Sequence, residues 1–175
     1  MSKRIRFIVH GSLLAALYVV LTYAQNLLWP ESTTMAIQLR ISEALGIFAF
    51  FTPAAIPGLT VGCLLYNVSW IQSLPLDWLV GTLATLLAAA SMWGLRRVKF
   101  HGCPWLGLLM PAVFNGPLVG WELTVYLAPD GFTWPVFWLN ALYVFLGEAI
   151  VLMTVGAVLY HTLTARRLDQ RLFGQ

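Results

Sequence analysis

Apolar residues run along this chain in long blocks, neither alternating nor forming amphipathic stripes, and polar residues collect in the gaps between them. A helix that crosses the hydrocarbon core of a bilayer needs about 20 such residues at 1.5 Å each. The blocks predict six helices, over roughly 7–28, 38–52, 54–71, 75–95, 103–126 and 134–162. The second is short, and Pro53, Pro57 and Gly58 break it from the third. The first block follows Lys3, Arg4 and Arg6, as the apolar run of a signal peptide does. It continues to about Trp29 with no small-residue cleavage pattern behind it, so it reads as a retained first transmembrane helix. No internal repeat, low-complexity tract or linker divides the chain, which is expected to form one transmembrane domain over 1–175.

Composition narrows the class. Of 175 residues, 59% are hydrophobic and 10% charged, whereas a soluble domain carries about 25% charged residues. The polar surface needed to coat a globule is missing. A soluble enzyme, a disordered tail and a secreted disulfide scaffold are excluded, and the fold class is an all-α integral membrane bundle of six helices. Cys63 and Cys103 read as small buried hydrophobes. The net charge of +3 and pI near 9.1 suggest nucleic acid until the charges are placed. With the N-terminus in the cytoplasm, six crossings return the C-terminus there. Lys3/Arg4/Arg6, Arg96/Arg97/Lys99 and Arg166/Arg167/Arg171 then all fall inside, and of the ten basic residues Arg40 alone lies on the outer side. Glu31, Glu43, Asp77 and Asp130 fall at or beyond the outer edge. The basic partner surface is therefore the bilayer, and no nucleic acid is expected.

Polar groups inside the spans are the candidates for function. An ionisable side chain at the centre of a transmembrane helix costs ~2.5–3.5 kcal/mol on insertion scales, so it faces protein or a cavity. Arg40 with Glu43, Asn67, Asn115 with Glu122, and Asn140 with Glu148 are such groups. Asn115 and Glu122 are seven apart and share one face of the fifth helix, with Tyr126 near the same line. Asn140 and Glu148, eight apart, share a face of the sixth with Val144 and Gly147 between them. Glu148 is the deepest, about 21 Å below Trp134. Together they outline a polar pocket opening outward. Each group also has a plainer reading: Arg40 pairing Glu43 at a helix end, Glu122 in the headgroup region, Glu148 protonated against a neighbouring helix, and the asparagines as interhelical links.

Six of the eight tryptophans, Trp29, Trp70, Trp78, Trp121, Trp134 and Trp138, lie toward the outer interface, and Trp93 and Trp105 toward the inner one. An aromatic belt explains most single tryptophans; Trp121 and Trp138, each beside a polar face, are the preferred exceptions, placed to stack on a flat ring. Gly11 with Ala15 and Ser12 with Ala16 form a small-residue strip on the first helix, for internal packing or for docking a membrane partner. No glycine-rich phosphate loop, zinc-binding His/Glu helix motif or recognisable Ser/Cys nucleophile setting occurs, and His10, His101 and His161 all sit at cytoplasmic ends. Neither catalysis nor a cofactor is expected.

The runs Gln38-Leu-Arg-Ile-Ser-Glu-Ala-Leu45, Phe50-Phe-Thr-Pro-Ala-Ala-Ile-Pro-Gly58 and Gly62-Cys-Leu-Leu-Tyr-Asn67 resemble the QueT family. So do Gly81-Thr-Leu-Ala-Thr-Leu86 and Asn115-Gly-Pro-Leu-Val-Gly120, and the likeness extends from about residue 36 to the sixth helix. The family comprises substrate-binding S components of energy-coupling factor importers, assigned to queuosine precursors. The resemblance implies a six-helix protein that binds its ligand on the outer side. It also implies a partnership with a transmembrane coupling protein and two ATP-binding-cassette ATPases. Docking through an Ala-x-x-x-Ala strip in the first helix is a further implication; Gly11/Ala15 and Ser12/Ala16 are its conservative counterparts here. The implied ligand is a 7-deazaguanine, flat, rich in N–H donors on one edge and cationic at an aminomethyl arm. Carboxylates suit both the edge and the ammonium, an Asn amide or Arg40 suits the ring carbonyl, and tryptophan faces suit the ring. A different class of function is a small proton-coupled secondary carrier with Glu148 and Glu122 as its relay, which would accumulate ligand alone under a pH gradient. A ligand-free assembly subunit explains the small-residue strip but not acids converging at one end.

Overall fold

The computed structural model describes residues 2–30, 32, 39–71, 73, 75–127 and 131–173. Local signals start the helices: Ser2 Oγ accepts from Ile5 N–H at 3.3 Å at the head of α1 (Lys3–Leu28). Proline supplies the first residue of α3 (Pro75–Leu95), with Asp77 in its first turn, and sits at the start of α6 (Trp134–Val151). Between them lie a 3₁₀ helix (Ile41–Phe50), α2 (Ala55–Ser69), α4 (Trp105–Leu108) and α5 (Met110–Leu127). A π-helical turn (Leu152–Gly156), α7 (Ala157–Ala165) and α8 (Leu168–Phe173) complete the order. Among the described residues all regular structure is helical, apart from an isolated antiparallel bridge between Phe100 and Cys103. That bridge closes a tight turn whose central residues, His101 and Gly102, have φ of 51° and 81°.

Four stretches are long and apolar enough to cross a membrane: Lys3–Leu28, Pro75–Leu95, Trp105–Tyr126 and Trp134–Ala165. They match the first, fourth, fifth and sixth expected spans. The last two are less regular than expected. Leu109 interrupts the fifth between α4 and α5, and the π turn interrupts the sixth between α6 and α7. The second expected span, 38–52, is corrected. Gln38 lies outside the described residues, Leu39 and Arg40 precede the helix, and ten residues wind as 3₁₀. At a rise of about 2.0 Å per residue they reach roughly 20 Å, where an α-helix would reach about 15 Å. Eight of the ten are buried, Ser42 through Ile47 with Ala49 and Phe50. An element apolar on every side belongs in the middle of a bundle, and this one touches α1, α2, α3, α6, α7 and the π turn.

Close backbone approach holds the outer helices in pairs. A Cβ on Gly58 would lie 2.6 Å from the Gly11 carbonyl oxygen, and one on Gly62 would lie 2.9 Å from that of Ala15. At the other side, a Cβ on Gly120 would lie 2.5 Å from Ala141 Cα, and one on Gly116 3.1 Å from its oxygen. Glycines four apart therefore dock α2 onto α1 and α5 onto α6. The side chains facing away from these seams, such as Leu13, Leu17, Val20, Leu139, Leu142, Leu146 and Ile150, are exposed and apolar, as a lipid-facing surface requires. Tyr18, Ile47, Cys63, Met92, Leu108 and Tyr160 form the centre of the core.

At one end of the bundle α8 folds back. Phe173 meets Phe48, Phe51 and His10, and Arg96 lies over the Trp93 ring at 3.7 Å. All three basic clusters gather toward this end. Leu28, Ile41, Ser69, Pro75 and Trp134 mark the opposite end.

Candidate functional site

The interior polar residues converge toward the end opposite the basic clusters. On α1, Tyr18, Thr22, Gln25 and Asn26 follow the i, i+4, i+7, i+8 spacing of one helix face, and all four are buried. Each has a partner on another element. Tyr18 Oη donates to Glu43 Oε1 at 2.5 Å, and Thr22 Oγ1 lies 2.8 Å from Ser42 Oγ. Gln25 Nε2 donates to the Leu39 carbonyl while its Oε1 accepts from Ile41 N–H at 2.8 Å. Asn26 Nδ2 donates to Tyr66 Oη. This stripe caps the start of the 3₁₀ helix, whose first N–H groups have no partner within the helix itself.

Arg40 and Glu43 follow from that cap. They are 7% and 4% exposed, which moves them from the expected helix end at the interface into the interior. The Arg40 charge acts on Glu43, Glu148, Tyr18 and Cys63. A buried guanidinium among carboxylates is the arrangement that makes ionised groups tolerable away from water. Arg40 thus has more than the Glu43 partner that its spacing suggested.

Glu148 arrives from α6. It is 1% exposed, and its Oε1 accepts from Asn115 Nδ2 of α5 at 3.2 Å. Two turns along α5, Glu122 is also 1% exposed and lies against Asp77 of α3. Asp77 is positioned by Ser73 Oγ, which donates to its Oδ2 at 3.1 Å, and by Asn67 Nδ2, which donates to its carbonyl at 2.8 Å. Among the described residues, both Glu122 oxygens and Glu148 Oε2 are buried without a hydrogen-bond partner.

Other expectations fare differently. Trp121 is 42% and Trp138 64% exposed, so neither lines the buried cluster. Both point outward because the inward positions of α5 and α6 are taken by Gly120, Ala141 and their seam. Tyr126 is exposed as well. Asn140 shares the α5-facing side of α6 with Glu148, but its Nδ2 donates to Thr124 Oγ1 at 3.0 Å, an interhelical link. Gly11 and Ala15 are buried against α2 and form internal packing, which corrects their assignment to partner docking. Ser12 and Ala16 remain exposed. They border an apolar groove of about 460 Å³ with Val19, Val20, Val61 and Leu65. Cys63 and Cys103 are buried free thiols, as expected. Glu31 and Asp130 lie outside the described residues.

Three groups had not been anticipated. The α1 stripe was legible as four polar positions at helical spacing. Asp77 had read as an outer-edge acid, and nothing in its neighbourhood signals that Glu122 comes to meet it. Thr85, beside Cys63, is visible only through the packing of α2 on α3. The assembled interior offers a guanidinium, carbonyl-like acceptors and carboxylate oxygens with spare lone pairs. It can hold a small polar molecule by directed hydrogen bonds and charge.

Sequence comparison places this geometry. A protein from Lactococcus lactis subsp. cremoris (strain MG1363), named Queuosine precursor transporter QueT, is 37% identical over 83 residues, 46% of this chain and 45% of that relative. The matched part therefore spans less than half the relative's length. No solved structure matches the chain. The profile of the family described as QueT transporter matches residues 8–165. With that match over nearly all of its length, and helices fit to cross the bilayer several times, the chain is a multi-pass membrane protein of the QueT transporter family.

Proposed function

We propose that this chain is the substrate-capturing component of an ATP-driven importer, and that it takes up a queuosine precursor of the 7-deazaguanine type. The observation that carries the reading is the set of buried carboxylate oxygens without partners, on Glu122 and Glu148, gathered around Arg40 and Glu43. Such groups are costly in a bilayer-spanning bundle unless a ligand uses them. A deazaguanine matches them with adjacent N–H donors on its pyrimidine edge and an ammonium on its arm. The name of the Lactococcus relative supports the choice of ligand class.

In this reading the four long helices, the 3₁₀ helix and α2 make six crossings of one transmembrane domain. The basic clusters place both termini in the cytoplasm, and the polar interior then opens outward. A transmembrane coupling protein with two ATP-binding-cassette ATPases supplies the driving force, docking on the exposed Ser12 and Ala16 side of α1. The sequence holds no phosphate loop of its own.

The test is native mass spectrometry and calorimetry on the purified chain with a panel of deazapurines, nucleosides and vitamins. One deazapurine is expected to bind with 1:1 stoichiometry. Glu148→Gln is expected to weaken it at least tenfold while the detergent melting temperature stays within a few degrees. Unchanged affinity would remove Glu148 from the site. Accumulation of ligand in liposomes by this chain alone under a pH gradient would replace the reading with a proton-coupled carrier.

A further inference from the structure

The two unpartnered acids differ in their surroundings, and the difference orients a ligand. Glu148 shares its level with Asn115 and feels the Arg40 and Glu43 charges. These are mixed groups, donors and acceptors together, able to read the edge of a heterocycle. Glu122 instead faces a second carboxylate, Asp77, whose place is set by Ser73 and Asn67. Both of its oxygens are buried without a partner among the described residues, although the residue is 1% exposed. Two carboxylates brought together in this way disfavour each other unless a cation sits between them.

The chemistry of that cation is constrained. Calcium takes six to eight oxygens and magnesium a near-octahedral six, more than two side chains supply. An ammonium has three N–H donors, a match for the two Glu122 oxygens and one from Asp77. Along α5, Asn115 and Glu122 are separated by two turns, about 10 Å. That is roughly the span of a two-ring heterocycle with a one-carbon arm, with a hydrogen bond of about 2.8 Å at either end.

We infer that Asp77 and Glu122 form a subsite for the primary ammonium of the ligand's arm, while Glu148 and Asn115, near Arg40 and Glu43, take the ring. The inference rests on the proposed ligand-capturing function and adds an orientation and a residue, Asp77, to it. The arm lies toward the end of the bundle where α3 begins, and the ring lies deeper.

The experiment titrates the full chain in nanodiscs with 7-aminomethyl-7-deazaguanine and with the same bicycle carrying a neutral hydroxymethyl or nitrile arm. Wild type is expected to bind the amine at least thirtyfold tighter than either neutral analogue. Asp77→Asn and Glu122→Gln should erase that preference while leaving neutral-arm affinity within threefold, whereas Glu148→Gln should weaken all three compounds. Equal wild-type affinity for amine and neutral arms overturns the subsite and leaves the capture function standing. So does a loss of all three ligands together in a folded Asp77→Asn or Glu122→Gln variant. Binding of none of the three by wild type overturns both. Because the wild-type comparison alone decides the arm preference, a variant that fails to fold does not shelter the inference.

Discussion

The polar interior has two halves that are built differently. On the α1 and 3₁₀ side, Tyr18 reaches Glu43, Thr22 meets Ser42, Gln25 bridges Leu39 and Ile41, and Asn26 meets Tyr66. On the α3, α5 and α6 side, Glu122 has no hydrogen-bond partner among the described residues and Glu148 has one oxygen filled. Both halves are equally dry, and both are drawn together by glycines on a close helix seam. The contrast therefore lies in the hydrogen bonding rather than in packing. A saturated network rigidifies and specifies one arrangement, so the first half is framework. Spare acceptors in a buried place are tolerated where something else completes them, so the second half is where a ligand belongs.

Breaking the framework should have the largest effect. Arg40→Ala removes the buried cation that acts on Glu43 and Glu148, and losing one partner of a buried charge group costs about 3–5 kcal/mol. The expected readout is a large drop in the detergent melting temperature with ligand binding abolished. Retained stability would mean that the acids of the two halves do not depend on that charge. Tyr18→Phe deletes one donor to Glu43, a charge-assisted bond worth about 1.5–3 kcal/mol. Chemical denaturation should register the loss, and affinity should fall less than it does in Glu148→Gln, because Tyr18 acts on the frame. A Tyr18→Phe variant that lost binding at full stability would move Tyr18 into the ligand-facing half. The smallest effect is expected from Thr124→Val, which cuts the link from Asn140. Interhelical bonds of this kind average about 0.6 kcal/mol in a membrane. Its binding isotherm should overlay that of wild type.

The spans were legible where the apolar run exceeded the bilayer thickness: Lys3–Leu28, Pro75–Leu95 and the run beginning at Trp134. The second span was not. Its residues are as apolar as a helix requires, but hydropathy carries no information about winding. The choice of 3₁₀ over α follows from Gln25 and Leu39 fixing one end and Phe48 and Phe51 packing the other. Within the site, Glu122, Glu148, Arg40 and Glu43 stood out because charge is rare in lipid. Asp77 did not, since an acid in the first turn of a helix already has an adequate reason to be there. Trp121 and Trp138 show the opposite error. Sequence adjacency to a polar residue places a side chain about 100° away around a helix, so the neighbour of an inward Glu122 points outward.

What the amino-acid order determined by itself was membrane residence and the expense of a few polar groups, because transfer energies add up residue by residue along a segment. Which of those groups meet, and which keep unfilled lone pairs, was decided by tertiary structure. Pairing of Glu122 with Asp77, or of Asn115 with Glu148, depends on helix rotation and depth. Those are set by glycine seams between segments far apart in the chain, and no local pattern encodes them.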